Sequence, residues 1–219
     1  GGAIDIASVY GVATGDNDLT INADSTGTST TETIKIGAIG DGNEIGAITL
    51  DAADGITFTG NIDTSNVDGS DLDINGKVFI SGDVTINTDN GNHDGTINFS
   101  STIDGVAGGA DDDLRILAGD RGSSGGSLTI TGNIGDAVAL TTLKINDGAG
   151  NGNIAFTIPQ VGGGGAQGVT GAVTLGNTGS GDITFSGTGA NAFDIGGKLT
   201  VTSDGGANAF QFSGTDTVI

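Results

Sequence analysis

Few residues of this 219-residue chain carry the nucleophiles, bases and thiolates that covalent or acid–base catalysis demands. The one histidine, His93, lies in Asp89-Asn90-Gly91-Asn92-His93-Asp94-Gly95. Asp94 could be drawn as its orienting acid, but an adjacent aspartate does not hold an imidazole in the geometry of a nucleophilic triad. His93 is therefore read as a turn histidine. There is no cysteine, hence no disulfide, no thiolate nucleophile and no thiolate metal ligand. The arginines are Arg115 and Arg121, tryptophan is absent and Tyr10 is the single phenol. A polysaccharide-cleaving site combines clustered acids with cations and aromatic platforms, and most of those parts are missing. Gly162-Gly163-Gly164-Gly165 is followed by neither Lys-Ser/Thr nor a helix, so it is not a phosphate loop. No catalytic residue is expected.

Metal binding is the chemistry that the residue types do allow. Asp111-Asp112-Asp113 follows a glycine-containing loop, and Asp16-Asn17-Asp18 sits at another turn. Hard carboxylate oxygens in turns suit Ca²⁺, which takes about six to eight oxygen ligands. Asp111, Asp112, Asp113, Asp16 and Asp18 are the candidate ligands, although neither run matches the twelve-residue helix-flanked calcium loop. The competing reading is a solvated acidic turn. No cofactor is required, and Ca²⁺ is the one candidate.

Charge narrows the partners. With 27 acidic residues against 6 basic ones the formal charge is -21. Nucleic-acid binding needs Lys and Arg to release counterions, so it is disfavoured. Attraction to an anionic membrane surface is disfavoured for the same reason, and no apolar run approaches the roughly 18 residues of a membrane helix. The chain shows no signal peptide, opens on Gly1-Gly2, contains no Met and stops at Thr217-Val218-Ile219, so it reads as a piece of something longer.

What must position these residues is a set of short strands. Glycine supplies 44 of 219 residues, far above the usual share of about 7%. Apolar residues nevertheless recur at regular short intervals, which a disordered chain does not need. One recurring pattern is an apolar residue, a polar one, usually Phe, then Ser or Thr. It appears at Ile56-Thr57-Phe58, Ile97-Asn98-Phe99, Leu128-Thr129-Ile130, Ile154-Ala155-Phe156, Ile183-Thr184-Phe185 and Phe210-Gln211-Phe212. A second pattern, apolar-polar-apolar before Asn, Asp or Gly, alternates with it, as in Leu72-Asp73-Ile74-Asn75-Gly76 and Leu143-Lys144-Ile145-Asn146-Asp147-Gly148. With the looser Val78-Phe79-Ile80 counted, the first pattern returns every roughly 19 to 31 residues, overlapping the window of about 20–50 that marks solenoids.

Strands with only two or three inward positions make a poor sandwich core, but stacked as coils each can pair with its equivalent in the next coil. The predicted fold is all-β: a parallel β-helix, right-handed, of about eight irregular coils and near 40 Å long at roughly 4.8 Å per coil. A pilin-like β-sandwich is the alternative. Residues 48–219 are the predicted solenoid, and residues 1–47 a strand or cap region. Phe58, Phe99, Ile130, Phe156, Phe185 and Phe212 are expected to share one position of successive coils as an internal ladder. Asn75-Gly76, Asp104-Gly105 and Asp147-Gly148 are expected corners, where φ > 0 favours Gly or Asn.

The alternation of Gly-Asn-Ile, Ile-Thr-Phe-Thr-Gly and Leu-Thr-Thr-Leu-Lys-Ile over most of residues 48–214 resembles the β-strand-repeat passengers of large bacterial surface proteins, the autotransporter and filamentous-haemagglutinin-like exoproteins. The resemblance implies a right-handed parallel β-helix on the cell exterior, where lack of Cys is typical. The tandem Gly-Gly-x-Gly-x-Asp array of calcium-binding secreted toxins is absent, so calcium sites of that kind are not carried over. The expected function is an extracellular building block that self-assembles into a surface filament, sheath or layer. The partner is another copy, joined end to end or by donation of the alternating strand Ala3-Ile4-Asp5-Ile6-Ala7-Ser8-Val9-Tyr10. The alternative is an adhesin module whose loops bind a host or carbohydrate ligand. Thr-x-Thr pairs at Thr57-Phe58-Thr59 and Thr129-Ile130-Thr131 do not recur in register, which disfavours an ice-binding face.

Overall fold

A computed structural model describes residues 2–11, 17–24, 31–40, 45–64, 71–90, 93–109, 111–118, 126–148, 154–163, 167–177, 182–188, 192–203 and 210–212. All of its regular elements are strands. Among the described residues no helix is long and apolar enough to cross a membrane.

The chain enters through β1 (Ala3–Val9), β2 (Leu19–Asn22) and β3 (Thr33–Ile39). Two turns follow, β4 (Ile48–Asp51), β5 (Gly55–Phe58) and β6 (Ile62–Asp63), then β7 (Leu72–Asn75), β8 (Val78–Ile80) and β9 (Asp83–Asn87). A short hairpin of β10 (Asp89–Asn90) and β11 (His93–Asp94) precedes β12 (Ile97–Phe99), β13 (Ile103–Gly105) and β14 (Asp113–Leu117). The later turns are β15 (Leu128–Ile130) with β16 (Thr142–Ile145), β17 (Phe156–Ile158) with β18 (Val173–Asn177), and β19 (Ile183–Phe185) with β20 (Leu199–Ser203). The last described strand is β21 (Phe210–Phe212).

Three walls result. One is the eight-stranded sheet β2-β4-β7-β12-β15-β17-β19-β21. The eleven-stranded sheet forks at β3 and forms the other two: Ile34 and Ile36 pair with Ile56 and Phe58 of β5, whereas Ile39 pairs with Ile62 of β6. The β5-β8-β13 wall continues through single bridges, Ile103 to Ile134, Ile134 to Val161 and Val161 to Phe193. The other wall runs β6-β9-β14-β16-β18-β20. Among the described residues, strands of successive turns pair in parallel and only the β10–β11 hairpin is antiparallel. The fold is thus the expected β-solenoid, and the sandwich alternative falls because a sandwich is built from antiparallel hairpins and Greek keys. The solenoid makes about six turns rather than eight.

Period-two burial is the physical cause. In β4, Ile48 and Leu50 are buried while Thr49 and Asp51 are partly exposed, and β7 repeats this with Leu72 and Ile74 inside. Each apolar side chain so buried contributes about 1.5–3 kcal/mol, an upper range because the unfolded chain already hides some surface. Residues 1–47 supply β1 to β3, which pair in the same parallel scheme: β1 on β3, β3 on β5, and β2 on β4. The strand expected to be available to a neighbour, β1, is held along one edge by its own chain.

The aromatic ladder needs correction. Phe99 and Ile130 do share a column, as do Ile158, Phe185 and Phe212 further along the same sheet. Phe58 lies in a different wall, between Ile36 and Ile80. Phe156 pairs with Leu128, one inward position earlier than expected. The strand in use is Phe156–Ile158 rather than Ile154-Ala155-Phe156, because two overlapping apolar-x-apolar triplets compete and Ile158 closes the column. One corner also moves. Gly76 has φ 145 at its turn, but Asp104 and Gly105 are buried within β13. A Cβ on Gly105 would lie 2.5 Å from the Ala139 carbonyl oxygen, so glycine there permits close approach of the next turn.

Candidate functional site

Of the three consecutive aspartates, Asp112 is buried and structural in character. Its Oδ1 accepts a hydrogen bond from Gly82 N (3.1 Å) and its Oδ2 accepts one from Val106 N (2.9 Å). Its own N–H donates to Thr141 Oγ1 (3.1 Å), and Thr141 N donates back to its carbonyl (2.9 Å). One residue thereby ties three successive turns. The connection from β13 to β14 wraps this carboxylate so closely that a Cβ on Gly109 would sit 2.6 Å from Oδ2. Asp113, partly exposed, accepts from Thr142 Oγ1 at 2.8 Å on the neighbouring strand. Asp111 is exposed with φ 72, a left-handed backbone that aspartate tolerates better than most residues. Asp112 and Asp113 thus serve different neighbours instead of facing one common point.

The other candidate run divides likewise. Asp16 lies outside the described residues. Asp18 Oδ1 accepts from Ala47 N at 3.0 Å on the next turn. The same device recurs where Asp24 Oδ1 accepts from Ala53 N (2.6 Å) and Asp71 Oδ1 from Thr96 N (2.8 Å). Among the described residues no group of three or more His, Asp or Glu is arranged to hold a metal ion. His93 pairs with Asn90 across the β10–β11 hairpin. Its base is pinned by Thr88 Oγ1 donating to the Gly95 carbonyl (3.0 Å) and Gly95 N donating to the Thr88 carbonyl (3.1 Å).

Sequence reasoning missed two features. Asp104, buried in β13, accepts from Ala137 N (2.9 Å) and from Thr102 Oγ1 (3.1 Å). It is a second buried carboxylate tie, and its place beside Gly105 made it read as a corner. Asn146, with φ 50, is buried and accepts from Ala118 N (2.8 Å) while its Nδ2 has no partner. Among the cations, Arg115 Nε donates to Asp147 Oδ1 at 2.7 Å across adjacent turns.

Asp112→Ala removes the acceptor for two backbone N–H groups. Each buried donor left unsatisfied costs about 1–3 kcal/mol, so a loss of roughly 2–4 kcal/mol is expected in urea unfolding. Asp111→Asn, which changes an exposed carboxyl at a left-handed position that Asn also tolerates, should stay within about 0.5 kcal/mol of the parent. Equal losses would contradict the division of labour between these neighbours.

A second prediction concerns pH. The Asp51 carboxyl titrates above its usual range because of desolvation first, then the negative charge of Asp24 and a hydrogen bond with it. Asn22 Nδ2 also donates to Asp51 Oδ2 at 3.1 Å. The raised folded-state pKa means that the folded chain holds this proton longer than the unfolded chain. Asp51 therefore favours folding as pH falls through that interval and opposes it as pH rises. Asp51→Asn should match or exceed the parent Tm at pH 7 and lose this advantage below about pH 4. A parent whose Tm relative to Asp51→Asn falls on acidification would contradict this assignment.

Two surface grooves lie among the described residues. One, of about 200 Å³, opens beside β15, β17 and β19 and is lined by Thr129, Ala155, Phe156, Thr157, Asp182 and Thr184. Only Leu128 and Phe156 are paired between β15 and β17, whereas β17 and β19 share three pairs, so the sheet is parted at this point. The other, of about 270 Å³, lies at the β1–β2 end against Val9, Tyr10, Asn17, Asp18, Leu19 and Ile45. Comparison with known proteins finds no matching family, no similar curated protein and no similar solved structure.

Proposed function

We propose that the chain is a structural module, a stiff rod that self-assembles into a filament, sheath or layer on the exterior of a bacterial cell. The observation that carries this reading is the distribution of half-buried core residues. The inner apolar columns are buried along the stack, and the partly buried apolar side chains packed against them are Ile4, Ile6, Val9 and Leu19 at one end and Ile195, Leu199 and Val201 at the other. Among the described residues the least buried members of the core lie in the first and last turns. A repeat stack gains by covering the apolar faces of its terminal turns, and a further stack of the same repeat would do so. The use of Asp18, Asp24, Asp71, Asp104 and Asp112 as ties between turns supports a mechanical role for side chains that would otherwise supply chemistry. The extracellular placement rests on the likeness of the repeats to surface-protein passengers.

The second reading, an adhesin module, is favoured by the Thr-lined groove and by the β10–β11 hairpin, which forms a two-stranded sheet of its own. Electron microscopy of the purified protein at neutral pH, with and without calcium, separates the two. Ordered fibres or sheets support the structural reading. Dispersed short rods at all concentrations overturn it and direct attention to the groove.

A further inference from the structure

The eight-stranded sheet parts between β15 and β17, and the one proline of the chain stands at the break. In this sheet the residue after the third ladder position donates its N–H to the third-position carbonyl of the turn before. Ser100 N donates to the Ile74 carbonyl (3.1 Å), Thr131 N to that of Phe99 (3.0 Å) and Ser186 N to that of Ile158 (2.9 Å). By the same register the donor to the Ile130 carbonyl would be Pro159, which has no N–H. Among the described residues no other donor takes its place, and the β15–β17 ladder stops at Leu128 and Phe156. Ile130 lines the groove of about 200 Å³ that opens here, over exposed Thr129, Ala155 and Thr157. The strands beneath it, β15, β17 and β19, each have a neighbour on both sides.

The lining of this groove is rich in acceptors, and none of the residues that form it is cationic. Beside the Ile130 carbonyl it holds the Asp182 carboxylate and the hydroxyls of Thr129, Thr157 and Thr184, with Leu128, Ala155 and Phe156 as its apolar wall. Asp182 interacts elsewhere as well, but a carboxylate has about four acceptor sites. The ligand that matches such a lining is one that only donates. An ammonium group carries three N–H donors and no acceptor. Its alkyl stem can lie along apolar side chains while the charged head meets polar ones. A sugar hydroxyl accepts as well as donates, and the side-chain donors here are threonine hydroxyls alone. The charge of -21 draws cations to the surface and repels anions. We infer that this groove binds a primary alkylammonium group, borne by a free amine or by a lysine side chain, with the Ile130 carbonyl and Asp182 holding its head. The site goes beyond the structural reading above and does not depend on it.

Amide NMR of the isotope-labelled protein, titrated with n-pentylamine at neutral pH and separately with 1-pentanol, tests the site. The amine should shift the amides of Thr129, Ala155, Thr157 and Thr184 saturably and bind about tenfold or more tightly than the alcohol of the same stem. Asp182→Asn, which keeps the shape and removes the charge, should weaken the amine by about tenfold. Pro159→Ala supplies the missing N–H to the Ile130 carbonyl. It should weaken the amine likewise, and its new amide should be protected from hydrogen exchange. Where Pro159→Ala fails to fold, Ala155→Leu fills the groove from an exposed position and should abolish binding. Retained binding in Ala155→Leu, or in a folded Pro159→Ala with a protected amide, would overturn the site. Unsaturated shifts spread over the acidic surface would mean general attraction to the charge and overturn it too. Equal affinity for the alcohol, or a neutral sugar that moves these amides when the amine does not, has the same force. Lysine blocked at its backbone amine and carboxyl, set against cadaverine, distinguishes the two sources: the tighter binder identifies a protein side chain or a free amine as the ligand.

Discussion

Phe99→Ala is expected to remove roughly 3–5 kcal/mol of stability, the usual cost of emptying a buried phenylalanine site. Domains of this kind are held by only about 5–15 kcal/mol in total, so the loss is a large share. Phe99 is fully buried in β12, with Ile74 before it and Ile130 after it in the same column. A stack gains its stability from contacts between neighbouring turns, so damage at one turn also weakens its coupling to the next. The unfolding transition should therefore broaden as well as shift. Phe79 provides the control. It sits at an outward position of β8, between Thr57 and Asp104, and is only partly buried. Phe79→Ala should cost about 1 kcal/mol or less. Urea unfolding followed by far-UV circular dichroism reads both. Equal losses would mean that the inward and outward assignments are wrong.

Gly135→Ala should cost roughly 2–5 kcal/mol although the change adds one methyl group. Gly135 has φ 67, and a Cβ there would fall 2.0 Å from the Gly168 carbonyl oxygen of the following turn. The left-handed conformation costs an ordinary residue about 1–2 kcal/mol. Backbone displacement by the intruding carbon adds about 1–3 kcal/mol. Gly82→Ala separates the two causes. Gly82 has φ 83, but a Cβ there would meet nothing within 4 Å, so only the conformational cost applies. Thermal melting of the pair measures the difference. If Gly82→Ala is as damaging as Gly135→Ala, close approach between turns is not what selects glycine at Gly135.

The contrast between these glycines shows which parts of the fold were legible in the sequence. The parallel solenoid was, because Leu114-Arg115-Ile116 and Leu143-Lys144-Ile145 repeat an inward-outward-inward triplet that pairs with its successor. The assignment of triplets to walls was not. Ile56-Thr57-Phe58 and Ile97-Asn98-Phe99 look alike, yet β5 and β12 stand in different sheets. A triplet sets which side chains point inward, and the number of strands since the last corner sets the wall. The slip at Phe156 has the same origin, since Ile154, Phe156 and Ile158 are all buried and local pattern does not choose between them. The aspartate runs were legible as turns but not as ties. Whether a carboxylate is buried depends on where a backbone N–H arrives from another turn, and for Asp112 those groups belong to Gly82 and Val106.

Self-assembly along the stack axis is the central claim, and fibre diffraction from oriented assemblies tests it most directly. Strands that lie across the rod and stack along it should place the reflection near 4.7–4.8 Å on the meridian, parallel to the fibre axis. That result would show that assembly extends the ladders already running through each copy. The same reflection on the equator would mean that rods associate side by side, and would contradict the account.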